Sequence, residues 1–406
     1  MAHRFWLFLL LSPACLAAEW PQWRGPARDG VVHEVQIPAN LPESLRQRWK
    51  VAVGEGHSSP ILAGGALFVF SRQQGREILR RIDPGAGKIA WEQSYPAPYK
   101  MNHAAVRHGE GPKSTPVFSA GRVYTFGISG ILSCFDAASG KRLWQKEFSR
   151  ESARTSPLYG VAMSPVVEGG VLIVHVGGPD RGAVLALEAA SGAEKWRWNG
   201  DAPGYSSPEV VELAGVRQVM TQGRSKAFSL DAATGALLWE VPYTTAYDQN
   251  SVSPVVYQGL VILSGVHNGI VAVRPQREGT AWSVPEAWKV TDVSLYMSTP
   301  VRRGPVLYGL SHKNRGQFFA LDIRSGKVLW TSEPRQGDNA AILLAGETLW
   351  LLRDDAELIV ARAGTEAFQP LRRYSVAGSP TWAHPLLTAD GVVVKDKDSL
   401  ALWSWR

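Results

Sequence analysis

Cysteine is nearly absent from this chain, with only Cys15 and Cys134 in 406 residues. That excludes a disulfide framework, a four-cysteine zinc ribbon and a cysteine-ligated iron–sulfur cluster. Charge is also sparse, at 19% Asp, Glu, Lys and Arg, below the usual quarter. Yet 45% of the residues are hydrophobic, too many for a disordered chain. Long apolar runs are missing: beyond the N-terminus no stretch approaches the roughly 18 residues of a membrane-spanning helix. Amphipathic helical faces are scarce as well, which excludes a solenoid of helical repeats. Bases exceed acids by 43 to 36, for a formal charge of +7. This modest excess suits an anionic partner without pointing to nucleic acid, and none is expected.

What the chain does have is 40 glycines, 26 prolines and 16 tryptophans, a composition for many short strands joined by tight turns. The first eighteen residues stand apart. His3 and Arg4 precede the apolar run FWLFLLL, and small residues follow up to Ala18, the pattern of a secretory signal peptide. The expectation is export to the periplasm or beyond, with cleavage after Ala17 or Ala18. Lipid attachment at Cys15 is the alternative, but Ser12 stands where such a site wants leucine. Cys134, between Ser133 and Phe135 in a strand-like pattern, reads as a buried thiol.

One motif recurs through the rest. Asp-x-x-Ser/Thr-Gly, followed four residues after its glycine by tryptophan, appears as DAASGKRLW (136–144), DAATGALLW (231–239) and DIRSGKVLW (322–330). It varies to EAASGAEKW (188–196) and DPGAGKIAW (83–91). A second motif, Ser/Thr-Pro before apolar residues, opens copies at Pro60, Pro116, Pro165, Pro208, Pro254 and Pro300, spaced by 43 to 56 residues. That is the period of a propeller blade. The acidic residue should cap an outer hairpin whose Gly140, Gly192, Gly235 or Gly326 takes positive φ. The following Trp91, Trp144, Trp196, Trp239 or Trp330 should cover the gap between neighbouring sheets. The copy from Pro254 loses the turn but keeps Trp282 or Trp288, and the stretch 341–362 keeps strands without the signature. The last copy lacks an outer strand, whereas LRQRWKVAV (45–53) has Trp49 and no inner strands. Pairing the two removes the free sheet edges of an open array. The prediction is all-β: one eight-bladed propeller of four-stranded antiparallel blades over 45–406, closed by the N-terminal strand. Seven blades is the alternative. Residues 19–44 form an extension packed on it.

These motifs resemble the pyrroloquinoline-quinone-type β-propeller repeat family, and WPQWRGPARDG (20–30) is similar to the head segment of its secreted bacterial members. The resemblance implies one of two functions: a quinoprotein dehydrogenase, or a scaffold such as the propeller of the outer-membrane β-barrel assembly machinery. Fold alone does not decide. A quinone enzyme needs a planar cofactor, oxygen ligands for calcium and a carboxylate base. Near the predicted axis only Asp248 and Asp338 are carboxylates, and the adjacent cysteines of the alcohol dehydrogenases are missing. Other chemistries lack signatures too. No nucleophile elbow occurs, GEGPKS lacks phosphate-loop spacing, and the nine histidines show no metal-ligand spacing. His103 and His108 fall in an insertion read as a loop over the channel mouth.

The expectation is therefore a monomeric, non-catalytic binding or scaffold propeller for an exported protein partner or anionic ligand, with no cofactor. Its alternative is a divergent dehydrogenase using pyrroloquinoline quinone and calcium. The loops before the inner strands should bring His57, Lys113, Tyr205, Asn250, Tyr296 and Trp382 to one end of the channel. Arg224, Lys226, Lys313 and Arg315, from middle hairpins on the same face, should ring that mouth.

Overall fold

The computed structural model describes residues 19–148 and 157–406; the segment expected to be a signal peptide lies outside them. Eight four-stranded antiparallel sheets surround one axis. Seven occupy 61–96, 117–147, 166–198, 209–242, 255–290, 301–331 and 340–375, numbered here blades one to seven. In blade eight the strands Leu386–Thr388, Gly391–Lys395 and Ser399–Ser404 are completed by Arg46–Ala52, with Trp49 opposite Leu402. The ring closes by the N-terminal strand, as the missing outer strand required. Blade seven carries one addition, a parallel Val31–Val32 strand on its inner edge.

The core is a circle of apolar clusters between neighbouring blades. Phe68 and Phe70 of blade one, for example, meet Val123 and Phe135 of blade two. The middle strands are buried along most of their length, as in Leu260–Ser264, while outer strands such as Lys327–Thr331 are exposed or half-buried apart from the docking tryptophan. Cys134 sits inside this packing, and burial pushes its thiol up to about 12.

The repeated turn explains how blades lock together. In blade four Asp231 Oδ1 accepts from the Thr234 amide at 2.9 Å and its hydroxyl at 2.9 Å. Gly235 then turns back at φ +75° and donates to Asp231 O at 2.8 Å. Gly140, Gly192 and Gly326 share this conformation, at +76°, +74° and +73°. A side chain at Gly235 would fail twice, because a Cβ there would lie 2.5 Å from the ring of Trp196. Six outer-strand tryptophans lie on the turn of the next blade. Each indole N–H donates into that turn: Trp91 to Ala138 O at 3.0 Å, Trp144 to Ala189 O at 3.1 Å, Trp196 to Ala232 O at 3.1 Å. Trp288 reaches Ile323 O at 2.8 Å, Trp330 reaches Gly364 O at 3.0 Å, and Trp49 closes onto Pro84 O at 3.0 Å. A β-bulge precedes the tryptophan in each docking strand and re-aims its side chain.

Blade five departs from this pattern. A hairpin of Gln276–Glu278 and Ala281–Ser283 replaces the acidic turn, and Trp288 is the residue in the outer strand. Trp239 of blade four therefore has no turn to dock on. It donates instead to Gln218 Oε1 of its own blade, at 3.0 Å, with Trp282 packed nearby.

Candidate functional site: the axial cavity

The Ser/Thr-Pro motif forms a belt around the axis. The Ser59 amide donates to Thr115 Oγ1 at 3.2 Å, Thr115 to Ser164 Oγ at 2.9 Å and Ser164 to Ser207 Oγ at 2.9 Å. The His384 amide completes the step from blade eight to blade one through Ser59 Oγ, at 2.9 Å. Each hydroxyl thus ties one blade to its predecessor. The proline that follows has no N–H to leave unpaired where strands converge.

The N-terminal segment closes one end of this belt. Arg24, buried, donates to the carbonyls of Thr299 (2.8 Å), Asp29 (2.9 Å) and Arg28 (3.1 Å), and also to Pro300 O. Arg28 reaches Pro165 O and Pro208 O at 3.1 Å and pairs with Glu209 at 3.2 Å. The two guanidiniums thereby bind carbonyls of blades three, four and six. Trp23 lies over them, with each guanidinium carbon 5.5 Å from its ring centre, a cation–π distance. Its ring faces the opposite way into a cavity of about 410 Å³.

Five of the expected residues line that cavity: His57, Lys113, Tyr205, Tyr296 and Trp382. Lys113 is the chemically distinctive one. Its ammonium donates to Tyr159 O at 2.8 Å, and burial lowers it to about 8. Burial first, then the Lys113 charge, lowers His57 to about 3, so its imidazole is neutral. Trp382 stands beside His57 (ring centres 5.7 Å apart) and His108 (4.7 Å, edge to face). Tyr296 donates to Gln249, and Tyr159 packs on Tyr205 at 5.8 Å. Among the described residues no aspartate or glutamate lines the cavity.

The other five expected residues do not line it. Asn250 is buried and turned into the blade, its amide donating to Gly223 O at 2.7 Å and Tyr243 O at 2.9 Å. A small side chain that can satisfy several carbonyls is worth more to the fold there than at the axis. Arg224 pairs with Asp248 at 3.0 Å, Lys226 pairs with Glu240 at 2.9 Å, and Lys313 donates to Thr291 O. Arg315 is exposed outside the lining. These hairpins reach outward, where neighbouring carboxylates and carbonyls engage three of the four cations.

Sequence reasoning missed Trp23, Tyr159 and Tyr247 as lining residues and had Arg107 and His108 only as part of the loop over the channel mouth. Trp23 precedes every blade, and a period search cannot place it. The insertion does lie at the mouth: His103–His108 is a 3₁₀ turn whose Ala104, Ala105, Arg107 and His108 line the cavity. Asn102 caps it by accepting from the Ala104 amide at 2.9 Å.

A closed ring of eight blades with tryptophan docks defines the class as a repeat-type β-propeller. The family model described as outer membrane protein assembly factor BamB (PQQ_2) matches residues 75–332 and 286–369; the chain belongs to this family. BamB of Yersinia pestis is 27% identical over 297 residues, 70% of this chain and 60% of that protein. The quinone alcohol dehydrogenase subunit of Komagataeibacter europaeus is 23% identical over 67% of this chain and 39% of that protein. Among solved structures, the quinohemoprotein alcohol dehydrogenase of Comamonas testosteroni superposes with TM-score 0.72 at 14% identity, covering 96% of this chain and 80% of that one. BamB of Moraxella catarrhalis gives 0.60 at 16%, covering 89% and 99%. At these identities the superpositions show the fold. The chain spans 60% of the length of the Yersinia relative, a little under two thirds.

Quinone with calcium does not fit the residues present. Among the described residues the lining offers no carboxylate ligand or base, and no group of three or more His, Cys, Asp and Glu is placed to hold a metal.

Proposed function

We propose that this chain is an exported, monomeric scaffold or binding propeller that takes an anionic group of a protein partner or ligand into the axial cavity. The observation that carries the reading is the Lys113 ammonium, held in an aromatic cavity whose described lining residues include no carboxylate. A buried cation of this kind favours a counter-charge from outside. The neutral His57, the tyrosines and Trp382 supply stacking and hydrogen bonds to the same group. The relatives named as assembly factors support the scaffold half of the reading. No helix among the described residues is long and apolar enough to cross a membrane, so any attachment would rest on the N-terminal segment.

The test is capture from a native periplasmic extract with the wild type and with a Lys113→Met/Tyr205→Phe/Trp382→Ala variant that still unfolds cooperatively. Partners should be retained by the first and lost by the second. Undiminished capture would move the binding surface elsewhere. Light scattering of the mature chain should give one protomer. The dehydrogenase alternative predicts saturable dye reduction after addition of pyrroloquinoline quinone and calcium, and such activity would displace the scaffold reading.

A further inference from the structure

His267 and His312 lie 45 residues apart, about one blade period, in the middle hairpins of blades five and six. The ring of blades turns that separation into contact: His312 Nε2 is 3.1 Å from His267 Nδ1. The other nitrogen of His312, Nδ1, is 2.9 Å from Ser294 O. A carbonyl only accepts, so Nδ1 carries the proton and Nε2 presents a lone pair to His267. This is the support found behind metal-bound imidazoles, where the far nitrogen donates to a backbone carbonyl.

The supporting residues are firmly held. Ser294 is buried, its amide donating to Ser311 Oγ at 3.1 Å and its hydroxyl to Gly265 O at 2.9 Å. His267 is fixed in the left-handed region at φ +61° by the turn in which the Asn268 amide donates to Gly265 O at 3.0 Å. A non-glycine residue persists there only where its surroundings impose it.

With Nδ1 of His312 donating to Ser294 O, the contact is an N–H···N hydrogen bond from His267 Nδ1 to the His312 Nε2 lone pair, which a bound ion would replace. The rings meet at 82° with centres 4.6 Å apart, and one nitrogen of each faces the other. Two imidazoles on one tetrahedral ion, with bonds of about 2.0–2.1 Å, hold their nitrogens roughly 3.3–3.4 Å apart. The observed 3.1 Å needs only a small opening. His267 is exposed and His312 half-buried, leaving an approach from solvent.

We propose that His267 Nδ1 and His312 Nε2 form a two-histidine site for a divalent transition-metal ion, Zn²⁺, Ni²⁺ or Cu²⁺, whose remaining positions are open to water or to a side chain of a docked partner. On binding, His267 moves its proton from Nδ1 to Nε2 through solvent, so neutral rings take up the ion with no net proton release. The His312 ring centre lies 6.3 Å from that of the cavity residue Tyr296, which puts the ion's charge at the rim of the axial cavity. Lys313, anchored on Thr291 O, adds a nearby positive charge that opposes the ion and limits its affinity.

The test uses the mature chain without a polyhistidine tag. Calorimetric titration with Zn²⁺ and Ni²⁺ should give one equivalent, with a heat independent of buffer ionisation near pH 8. One equivalent of Cu²⁺ should show hyperfine coupling to two nitrogens in its electron paramagnetic resonance spectrum. His267→Gln or His312→Gln should each weaken binding by roughly 10- to 100-fold, and the double variant should abolish the stoichiometric site. Zn²⁺ should protect these two rings of the wild type from diethyl pyrocarbonate, a readout that needs no variant. A stoichiometric ion retained by the folded double variant, protection at other histidines, or no binding tighter than about 1 mM would each overturn the proposal.

Discussion

The blade boundaries and the axis are built on opposite principles. At the boundaries one contact is repeated: an outer-strand tryptophan lies on the glycine of the next turn and donates to a carbonyl there. At the axis the Ser/Thr belt repeats, but the side chains beside it vary: a histidine before blade one, a lysine before blade two, tyrosines before blades three to six and a tryptophan before blade eight. The perimeter satisfies its polar groups within the protein. The cavity holds a buried lysine and two histidines, His57 and His384, each lowered to about 3 by burial. Repetition accompanies stability here, and variation accompanies groups that are costly to bury.

The largest test of this contrast is removal of residues 19–55. It deletes the strand opposite Ser399–Ser404, the Trp49 dock and the arginines that tie three blades together. Calorimetry should show the main transition lost or lowered far more than by deleting an equal length of surface loop. Equal melting temperatures would show that the segment closes nothing.

Next in size is a single dock. Trp196→Ala should cost about 3–5 kcal/mol in denaturant unfolding. Gly235→Val should also destabilise, through positive φ and the clash with the same ring. The double variant should cost less than the two single losses together, since the clash disappears with the indole. Strict additivity would deny that they form one contact.

Glu77 tests the boundary between blades one and two by pH. Its Oε1 accepts from the Ile128 amide at 2.7 Å, and burial raises it to about 7 from an ordinary 4.5. A carboxyl raised on folding supports the fold below its unfolded value, and that support is lost as pH climbs through 4.5 toward 7. Glu77→Gln keeps an acceptor for Ile128. It should leave stability nearly unchanged at pH 4 and raise it above pH 7 by on the order of 3 kcal/mol. A gain independent of pH would assign the effect to something other than the buried charge.

The smallest predicted change is at the axis and has the opposite sign from the docks. Lys113 is lowered from 10.5 to about 8, so its burial costs stability that is recovered only as pH rises past 8 toward 10.5. Lys113→Met should raise stability near pH 7 by roughly 2 kcal/mol, the charge penalty offset in part by a lost hydrogen bond. Capture of the partner should fall in the same variant. Lower stability with capture intact would make Lys113 a structural residue and erase the contrast.

Much of the perimeter was legible because a propeller repeats its contacts at a fixed sequence period. Asp231, Gly235 and Trp239 announce a turn and its tryptophan, and the unpaired strand around Trp49 announces closure. Trp239 also marks the limit of that reading: its own blade carries the motif, but the turn it would dock on belongs to the next blade, where a hairpin replaces it. The axis was half legible. His57, Lys113, Tyr205, Tyr296 and Trp382 could be placed by period, whereas Asn250 turned inward to satisfy three carbonyls.

By itself the sequence determined the number of blades, their four strands and the point of closure, since each rests on local turn chemistry and on hydrophobic alternation repeated down the chain. Only the tertiary structure decided that Trp23 floors the cavity, that His267 meets His312, and that the outer cations are engaged by neighbouring groups. Those contacts depend on side-chain directions that the repeat period does not set, and their geometry exists only once the ring has closed.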